Sequence, residues 1–157
     1  MRFAQGMVLF VSSGGFVGYI PFAPGTLGSV VGIPICYVLS RFQPLISVVF
    51  AAMLIIVAIW MADKAERILD RTDPGCIVID EIAGFAVTML GLPFDFLTVA
   101  SGFFVFRALD VLKPFPIRKL ERNVKGGAGV VLDDVIAGIF SNLILRIGFL
   151  IASAFNG

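Results

Sequence analysis

Residues 45–62 read LISVVFAAMLIIVAIWMA, a run of eighteen residues without a charged side chain. A helix needs about 20 mostly apolar residues to cross the hydrocarbon core of a bilayer. Pro44 suits the first turn of such a helix, and Asp63 with Arg67 forms an i,i+4 pair that can extend it beyond the membrane. The stretch therefore predicts a membrane-spanning helix that continues to about residue 69.

The rest of the chain has a similar composition. Of its 157 residues, 59% are hydrophobic, which is more apolar surface than a water-soluble domain of this length can bury. No linker-like stretch divides the chain, so residues 1–157 are expected to form a single domain. We expect an all-α, polytopic transmembrane helical bundle with four to six membrane segments.

The first forty residues contain several helix-breaking residues. Glycines and prolines interrupt the uncharged run and predict two segments, 3–20 and 27–40. Thr26 is the expected N-cap of the second segment, and Pro34 predicts a kink within it. The pattern leaves open whether residues 3–20 span the membrane, re-enter it or lie along its surface.

Cap signals continue in the second half of the chain. Asp73 and Pro74 are expected to be the N-cap and first residue of a helix that ends at Gly91. Asp95 is the expected cap of a return helix over 96–112. After a polar loop, a final helix over 130–154 is expected, with Asp133 and Asp134 in its first turn.

The charged residues are unevenly distributed. Lys and Arg number 12 and Asp and Glu 11, and this net charge of +1 gives no reason to expect a nucleic-acid partner. Nineteen of the 23 charged residues fall in residues 63–81 and 107–134. The positively charged loops belong in the cytoplasm by the positive-inside rule, so the charged groups are expected at the cytoplasmic membrane face.

Five carboxylates are expected at that face, more than the neighbouring cations Arg107 and Lys113 can neutralise. Arg107, Asp110 and Lys113 recur at i, i+3 and i+6, on neighbouring positions of one helical face. Buried excess carboxylates need a cation, and all-oxygen ligation is typical of Mg²⁺. For any single residue, the alternative to metal binding is that its charge is neutralised in a salt bridge or lies among the lipid headgroups. The five are Asp80, Glu81, Asp110, Asp133 and Asp134.

Phosphate is the ligand that the remaining groups favour. Arg107, Lys113 and Lys125 supply cationic donors, and the glycines after Lys125 can expose backbone N–H groups to an anion, although a flexible loop also explains them. The chain contains no histidine, which excludes phosphohistidine and histidine-dependent phosphatase chemistry. A mechanism based on a metal ion and carboxylates remains as the expected way to react with phosphate.

Several motifs, in order along nearly the whole chain, resemble the phosphatidylglycerophosphatase A family. They are Ala23-Pro24-Gly25-Thr26-Leu27-Gly28-Ser29, Asp73-Pro74 with Val78-Ile79-Asp80-Glu81, Phe106-Arg107 through Lys113-Pro114-Phe115-Pro116-Ile117, and Lys125-Gly126-Gly127 with Leu132-Asp133-Asp134. The resemblance implies a Mg²⁺-dependent phosphatase of the bacterial inner membrane. Its phospholipid substrate would be phosphatidylglycerophosphate, converted to phosphatidylglycerol and inorganic phosphate.

On this basis we expect Asp80, Glu81, Asp133 and Asp134 to hold one or two Mg²⁺ ions and to share catalysis with Asp110. The expected substrate-binding residues are Thr26, Ser29, Arg107, Lys113 and Lys125, although Thr26 as a helix cap and Ser29 as a packing residue are the simpler interpretations. The group that attacks the phosphate is either an activated water or a carboxylate of the protein, and the sequence leaves both possibilities open. It also leaves the oligomeric state open. An ion-coupled transporter is the alternative function.

Overall fold

The computed structural model describes residues 2–115 and 124–156, and in these ranges it contains helices and turns but no β-strand. Three residues of the positively charged loops on which the predicted orientation rests, Arg118, Lys119 and Arg122, lie outside the described residues. Within the described residues, six α-helices follow one another: α1 (Arg2–Ser12), α2 (Pro24–Ser40), α3 (Pro44–Leu69), α4 (Ile79–Met89), α5 (Phe96–Leu112) and α6 (Gly127–Asn156). The predicted all-α class is confirmed.

Helices α3 and α5 follow the predictions closely. Pro44 begins α3, and its predicted pair is present, with Arg67 Nη2 2.8 Å from Asp63 Oδ2. Asp95 caps α5, accepting hydrogen bonds from the Thr98 backbone N–H and hydroxyl. These two bonds stabilise the carboxylate and lower the pKa of Asp95.

The N-terminal segment does not form one long helix. The 11 residues of α1 extend about 16 Å, roughly half the hydrocarbon thickness of a bilayer. A short 3₁₀ turn, Val17–Tyr19, follows it. The predicted cap of α2 is wrong, because Ala23 in a left-handed conformation precedes the helix and Thr26 lies inside its first turn. Pro34 lies inside α2 as predicted.

The predicted start of α4 is also wrong. Asp73 adopts a left-handed φ of 47°, and its N–H donates to Glu66 Oε1 instead of opening a helix. The chain ahead of α4 is tied to the N-terminal segment, because the Val78 N–H donates to the Ser12 carbonyl. These long-range contacts hold the residues after Pro74 outside a helix, and α4 begins at Ile79.

Helix α4 is the centre of the bundle. It contacts α2, α3, α5 and α6, and ten of its eleven residues are buried. Its far end is held by α6, where Asn142 Nδ2 donates to the carbonyls of Thr88 and Leu90, at 2.8 and 2.9 Å. These side-chain bonds satisfy carbonyls that a helix terminus leaves without partners. The C-terminal end of α4 is thereby fixed against α6.

The outer helices α3 and α6 have exposed apolar surfaces. Both are long and apolar enough to cross a membrane, and only 22% and 28% of their most apolar windows are buried. Large apolar side chains such as Leu45 and Ile56 are 76% and 67% exposed. This exposure distinguishes them from core helices of a soluble protein and supports a membrane protein. The predicted number of four to six membrane segments stays a prediction.

Helices α4 and α6 cross in close contact at two glycines. A Cβ on Gly138 would lie 2.3 Å from the Gly84 carbonyl oxygen, and a Cβ on Gly84 would lie 2.7 Å from the Asp134 carbonyl oxygen. Glycine at both positions therefore allows the two backbones to come into close contact. The crossing brings the backbone of Asp134 directly against α4.

Replacing Gly138 by alanine tests this crossing. We expect Gly138→Ala to lower the free energy of unfolding by about 1–3 kcal/mol, because the added methyl meets backbone that must move. Thermal unfolding in detergent measures the effect. Gly148→Ala is the matched control on the same helix, since a Cβ there has no neighbour within 4 Å. Equal Tm values for the two variants would contradict the close crossing.

Candidate active site

The predicted acidic and basic side chains meet at one end of the bundle. The first turn of α4 carries Asp80 and Glu81, and the last turns of α5 carry Arg107 and Asp110. Helix α6 begins at Gly127, three residues earlier than predicted, so it has no acidic residue in its first turn. The expected position of Asp133 and Asp134 is therefore wrong. They lie one turn deeper, where the helix dipole has little effect and burial is greater.

Three carboxylates form the centre of the site. Asp80, Glu81 and Asp134 each offer an oxygen, and these oxygens all lie within 4.8 Å of one another. Asp80 and Asp134 are 7% and 3% exposed. Asp80 Oδ1 and Glu81 Oε2 are buried and have no hydrogen-bond partner among the described residues. Buried anions at this spacing repel one another and require a cation.

Arg107 is a cationic side chain that the described structure places beside this cluster. Its Nη1 lies 2.5 Å from Asp110 Oδ2 and 4.0 Å from Glu81 Oε1. Its Nε is buried without a partner in the described part of the chain. Asp110 therefore orients the guanidinium, which retains an N–H group for a further acceptor.

Asp133 is in a different environment from its neighbour Asp134. Its Oδ2 lies 2.5 Å from Lys113 Nζ, while its Oδ1 is buried and has no partner among the described residues. Lys113 ends α5 in a left-handed conformation, with φ of 43°. The structure thus places Asp133 in an ion pair and Asp134 with the other two carboxylates.

The other predicted substrate-binding residues are placed less centrally. Ser29 is fully buried, and its hydroxyl donates to the Gly25 carbonyl within α2. Thr26 is partly buried in the first turn of that helix. Lys125 is exposed and forms no ion pair with any residue in 2–115 or 124–156. Roles of these three in substrate binding stay predictions.

The glycines after Lys125 have a packing role in the structure. A Cβ on Gly127 would lie 2.2 Å from the Ile59 carbonyl oxygen and 2.4 Å from the Asp63 nitrogen. This glycine therefore allows the start of α6 to approach α3 closely.

The donor set fits a divalent metal ion. Asp80, Glu81 and Asp134 provide oxygen ligands at compatible spacing, and two of their oxygens are otherwise unpaired. Five carboxylates surround only two cationic side chains, Arg107 and Lys113, in the described part of the site. Oxygen-only sites of this kind suit Mg²⁺, Mn²⁺ or Ca²⁺.

Residues 10–149 match the family model described as phosphatidylglycerophosphatase A. The chain belongs to the phosphatidylglycerophosphatase A family. This membership confirms the resemblance found in the motifs, and it confirms the prediction that the chain is a phosphatase.

Two relatives carry the family's name. The phosphatidylglycerophosphatase A of Escherichia coli K12 is 40% identical over 130 residues, covering 82% of this chain and 75% of the relative. That of Haemophilus influenzae Rd is 32% identical over 130 residues, covering 82% and 80%. A Bacteroides thetaiotaomicron protein, named as a candidate phosphatidylinositol-3-phosphatase, is 33% identical over 147 residues, covering 88% and 91%. No solved structure matches the chain significantly.

Gly25 is a site residue that the sequence reasoning did not assign. A Cβ at this position would lie 2.2 Å from Glu81 Oε1 and 3.0 Å from both terminal nitrogens of Arg107. The N-terminal turn of α2 therefore covers the site by direct backbone approach. Its signal in the sequence was a glycine directly after Pro24 at a helix start, but no local pattern identifies its neighbours.

We expect Gly25→Ala to lower phosphatase activity roughly 100-fold, because displacement of a reacting group by about 1 Å can cost that much. The fold should be retained, since the colliding atoms are ends of flexible side chains. Phosphate release and Tm, measured on the same preparation, separate a loss of activity from a loss of stability. Gly6→Ala is the control, because a Cβ at Gly6 has no neighbour within 4 Å. Wild-type activity in Gly25→Ala would show that this contact does not position the site.

Proposed function

We propose that this chain hydrolyses phosphatidylglycerophosphate to phosphatidylglycerol and inorganic phosphate, with Mg²⁺ as cofactor. The observation that carries the proposal is the cluster of Asp80, Glu81 and Asp134 beside the partly unpaired guanidinium of Arg107. Carboxylates that can hold a divalent ion next to a phosphate-binding cation form a recurrent arrangement for phosphoryl transfer. The names of the relatives from Escherichia coli and Haemophilus influenzae support this substrate.

Asp80, Glu81 and Asp134 would hold the Mg²⁺ ion. When bound, Mg²⁺ supplies positive charge that stabilises phosphate oxygens and makes water more acidic. Asp133 would bind it only after separating from Lys113, because one of its oxygens is occupied by that ion pair. We therefore propose Asp80, Glu81 and Asp134, three of the four predicted ligands, as the metal-binding residues.

Arg107 would bind the terminal phosphate of the substrate. Its guanidinium is planar and presents several N–H groups, which suits two oxygens of one phosphate. Asp110 fixes the guanidinium by accepting a hydrogen bond from Nη1. Lys113 adds positive charge near Asp133. In the net reaction water is consumed, the phosphorus–oxygen bond to glycerol breaks, and the glycerol oxygen takes up a proton.

The location of the site fits a lipid substrate. The long apolar helices α3 and α6 support a membrane protein, and the charged cluster lies at one end of the bundle. We infer that this end faces the cytoplasm in a bacterial inner membrane, because the positively charged loops that flank it follow the positive-inside rule. A phosphate group at the headgroup level would then meet Arg107 while its acyl chains stay in the bilayer.

Replacing the central carboxylates tests the proposal. We expect Asp80→Asn and Asp134→Asn to lose more than about 100-fold in phosphate release from phosphatidylglycerophosphate, since changes beside a metal ligand alone cost 10–100-fold. Wild-type activity should require Mg²⁺ and disappear with a chelator. The measurement uses the purified full chain in detergent micelles, with folding checked by circular dichroism.

Asp70→Asn is the matched control for these variants. Asp70 is exposed and ends α3 in a left-handed conformation that asparagine adopts readily. Full release by Asp80→Asn and Asp134→Asn would refute the site, and release without any divalent ion would refute the cofactor. Faster release from phosphatidylinositol 3-phosphate would reassign the substrate toward that named for the Bacteroides relative. No release from any lipid by the wild type would favour the transporter alternative.

Replacing Arg107 by lysine tests its role in binding phosphate. Lysine keeps the charge but cannot reproduce the planar pair of donors, so Arg107→Lys should reduce kcat/KM by roughly 100-fold. Arg67→Lys is the control, because Arg67 forms an exposed ion pair on α3. Equal kinetics for Arg107→Lys and wild type would assign Arg107 to charge balance alone.

A further inference from the structure

A groove between α2 and α5 adjoins the active site. It has a volume of about 460 Å³ and an almost wholly apolar lining, which includes Val30 and Ile33 of α2 and Val99, Ala100 and Phe104 of α5. Both helices pack on α4, but they have few contacts with each other. The space between them is therefore open along the outside of the bundle.

One end of the groove lies next to the phosphate-binding residues. Val30 follows Gly25 by five residues, about 7.5 Å along α2, and Phe104 precedes Arg107 by three residues, about 4.5 Å along α5. The Arg107 guanidinium lies against Gly25, where it bridges the two helices. A ligand that binds Arg107 can thus continue directly into the groove.

The length of the groove covers most of the depth of one leaflet. On α5 its lining runs from Phe104, the end nearest Arg107, to Phe96, which is eight residues or about 12 Å. One leaflet is about 15 Å deep, half the hydrocarbon thickness of a bilayer. The groove therefore leads from beside the cationic site into an apolar channel long enough to hold most of an acyl chain within one leaflet.

We propose that this groove binds an acyl chain of the phosphorylated lipid whose terminal phosphate lies on Arg107. The assignment rests on the proposed function. It gives a binding site to the acyl chain, the part of the substrate that the charged site does not contact. The gap between α2 and α5 is also the lateral route by which the lipid enters from the bilayer. Chain burial contributes to KM, because apolar contacts made along the groove stabilise the bound lipid.

A second apolar groove provides a control. It lies between α2 and α3, has a volume of about 540 Å³ and is lined by residues such as Val38, Met53 and Val57. Its first residue on α2 is Pro34, nine residues beyond Gly25 and so about 13.5 Å from the site along the helix. It is as apolar as the first groove but does not reach Arg107.

Filling each groove with the same side chain tests the proposal. Val30 and Val57 are 45% and 42% exposed, so tryptophan at either position should be compatible with folding. We expect Val30→Trp to raise KM for long-chain phosphatidylglycerophosphate about tenfold or more. It should leave phosphate release from the deacylated headgroup, glycerophosphoglycerophosphate, unchanged. Val57→Trp should change neither this KM nor the release from the headgroup. Ala100→Phe, on the α5 wall of the groove, should raise KM for the long-chain lipid as Val30→Trp does.

Binding measured without turnover separates this proposal from the proposed function. Native mass spectrometry with added long-chain phosphatidic acid, a phosphate-monoester lipid, should show weaker retention by Val30→Trp than by Val57→Trp. Equal retention, or equal KM for the long-chain lipid, would overturn the acyl-chain site. An equal loss on the lipid and on the deacylated headgroup would also overturn it, because the site itself would then be disturbed. If no substrate releases phosphate but Val30→Trp still retains less phosphatidic acid than Val57→Trp, the acyl-chain site is supported and the phosphatase proposal fails.

Discussion

The close crossing of α4 and α6 determines where the acidic groups of this protein meet. Gly84 and Gly138 have no side chains, so the backbone of one helix lies against the backbone of the other. A larger residue at either position would separate the helices, and with them Asp80 from Asp134. Since α4 is also held at its far end by Asn142, its first turn has little freedom to move away from α6.

This crossing brings together more carboxylates than cationic side chains among the described residues. Asp133 is paired with Lys113, and Arg107 is paired with Asp110 and lies 4.0 Å from Glu81. Asp80 and Asp134 form no ion pair with any residue in 2–115 or 124–156. Burial makes each unpaired negative charge costly, and the same burial strengthens attraction to a small cation. A site of this kind favours a small divalent cation, and in the proposed function that cation would in turn attract the phosphate of the substrate.

The bundle surrounds this polar site with helices whose outer surfaces are apolar. Helix α4 is short and enclosed, whereas α3 and α6 expose apolar side chains over most of their length. The charged groups can lie near the hydrocarbon boundary because neighbouring helices surround them on the apolar side. In the acyl-chain site that we propose, the opening between α2 and α5 lets a phospholipid reach Arg107 without leaving the membrane.

The sequence by itself determined the helical class, the bounds of α3 and α5, and the grouping of acidic and basic residues in two stretches of the chain, because these depend on apolar runs, caps and spacing within single helices. The family was recognisable for the same reason, as its motifs are local. Only the tertiary structure decided that α4 begins at Ile79 and that Asp134 joins Asp80 and Glu81 while Asp133 binds Lys113. It also decided that Gly25 covers the site. Each of these outcomes depends on contacts between residues far apart in the chain, and no local pattern specifies which backbone will approach another.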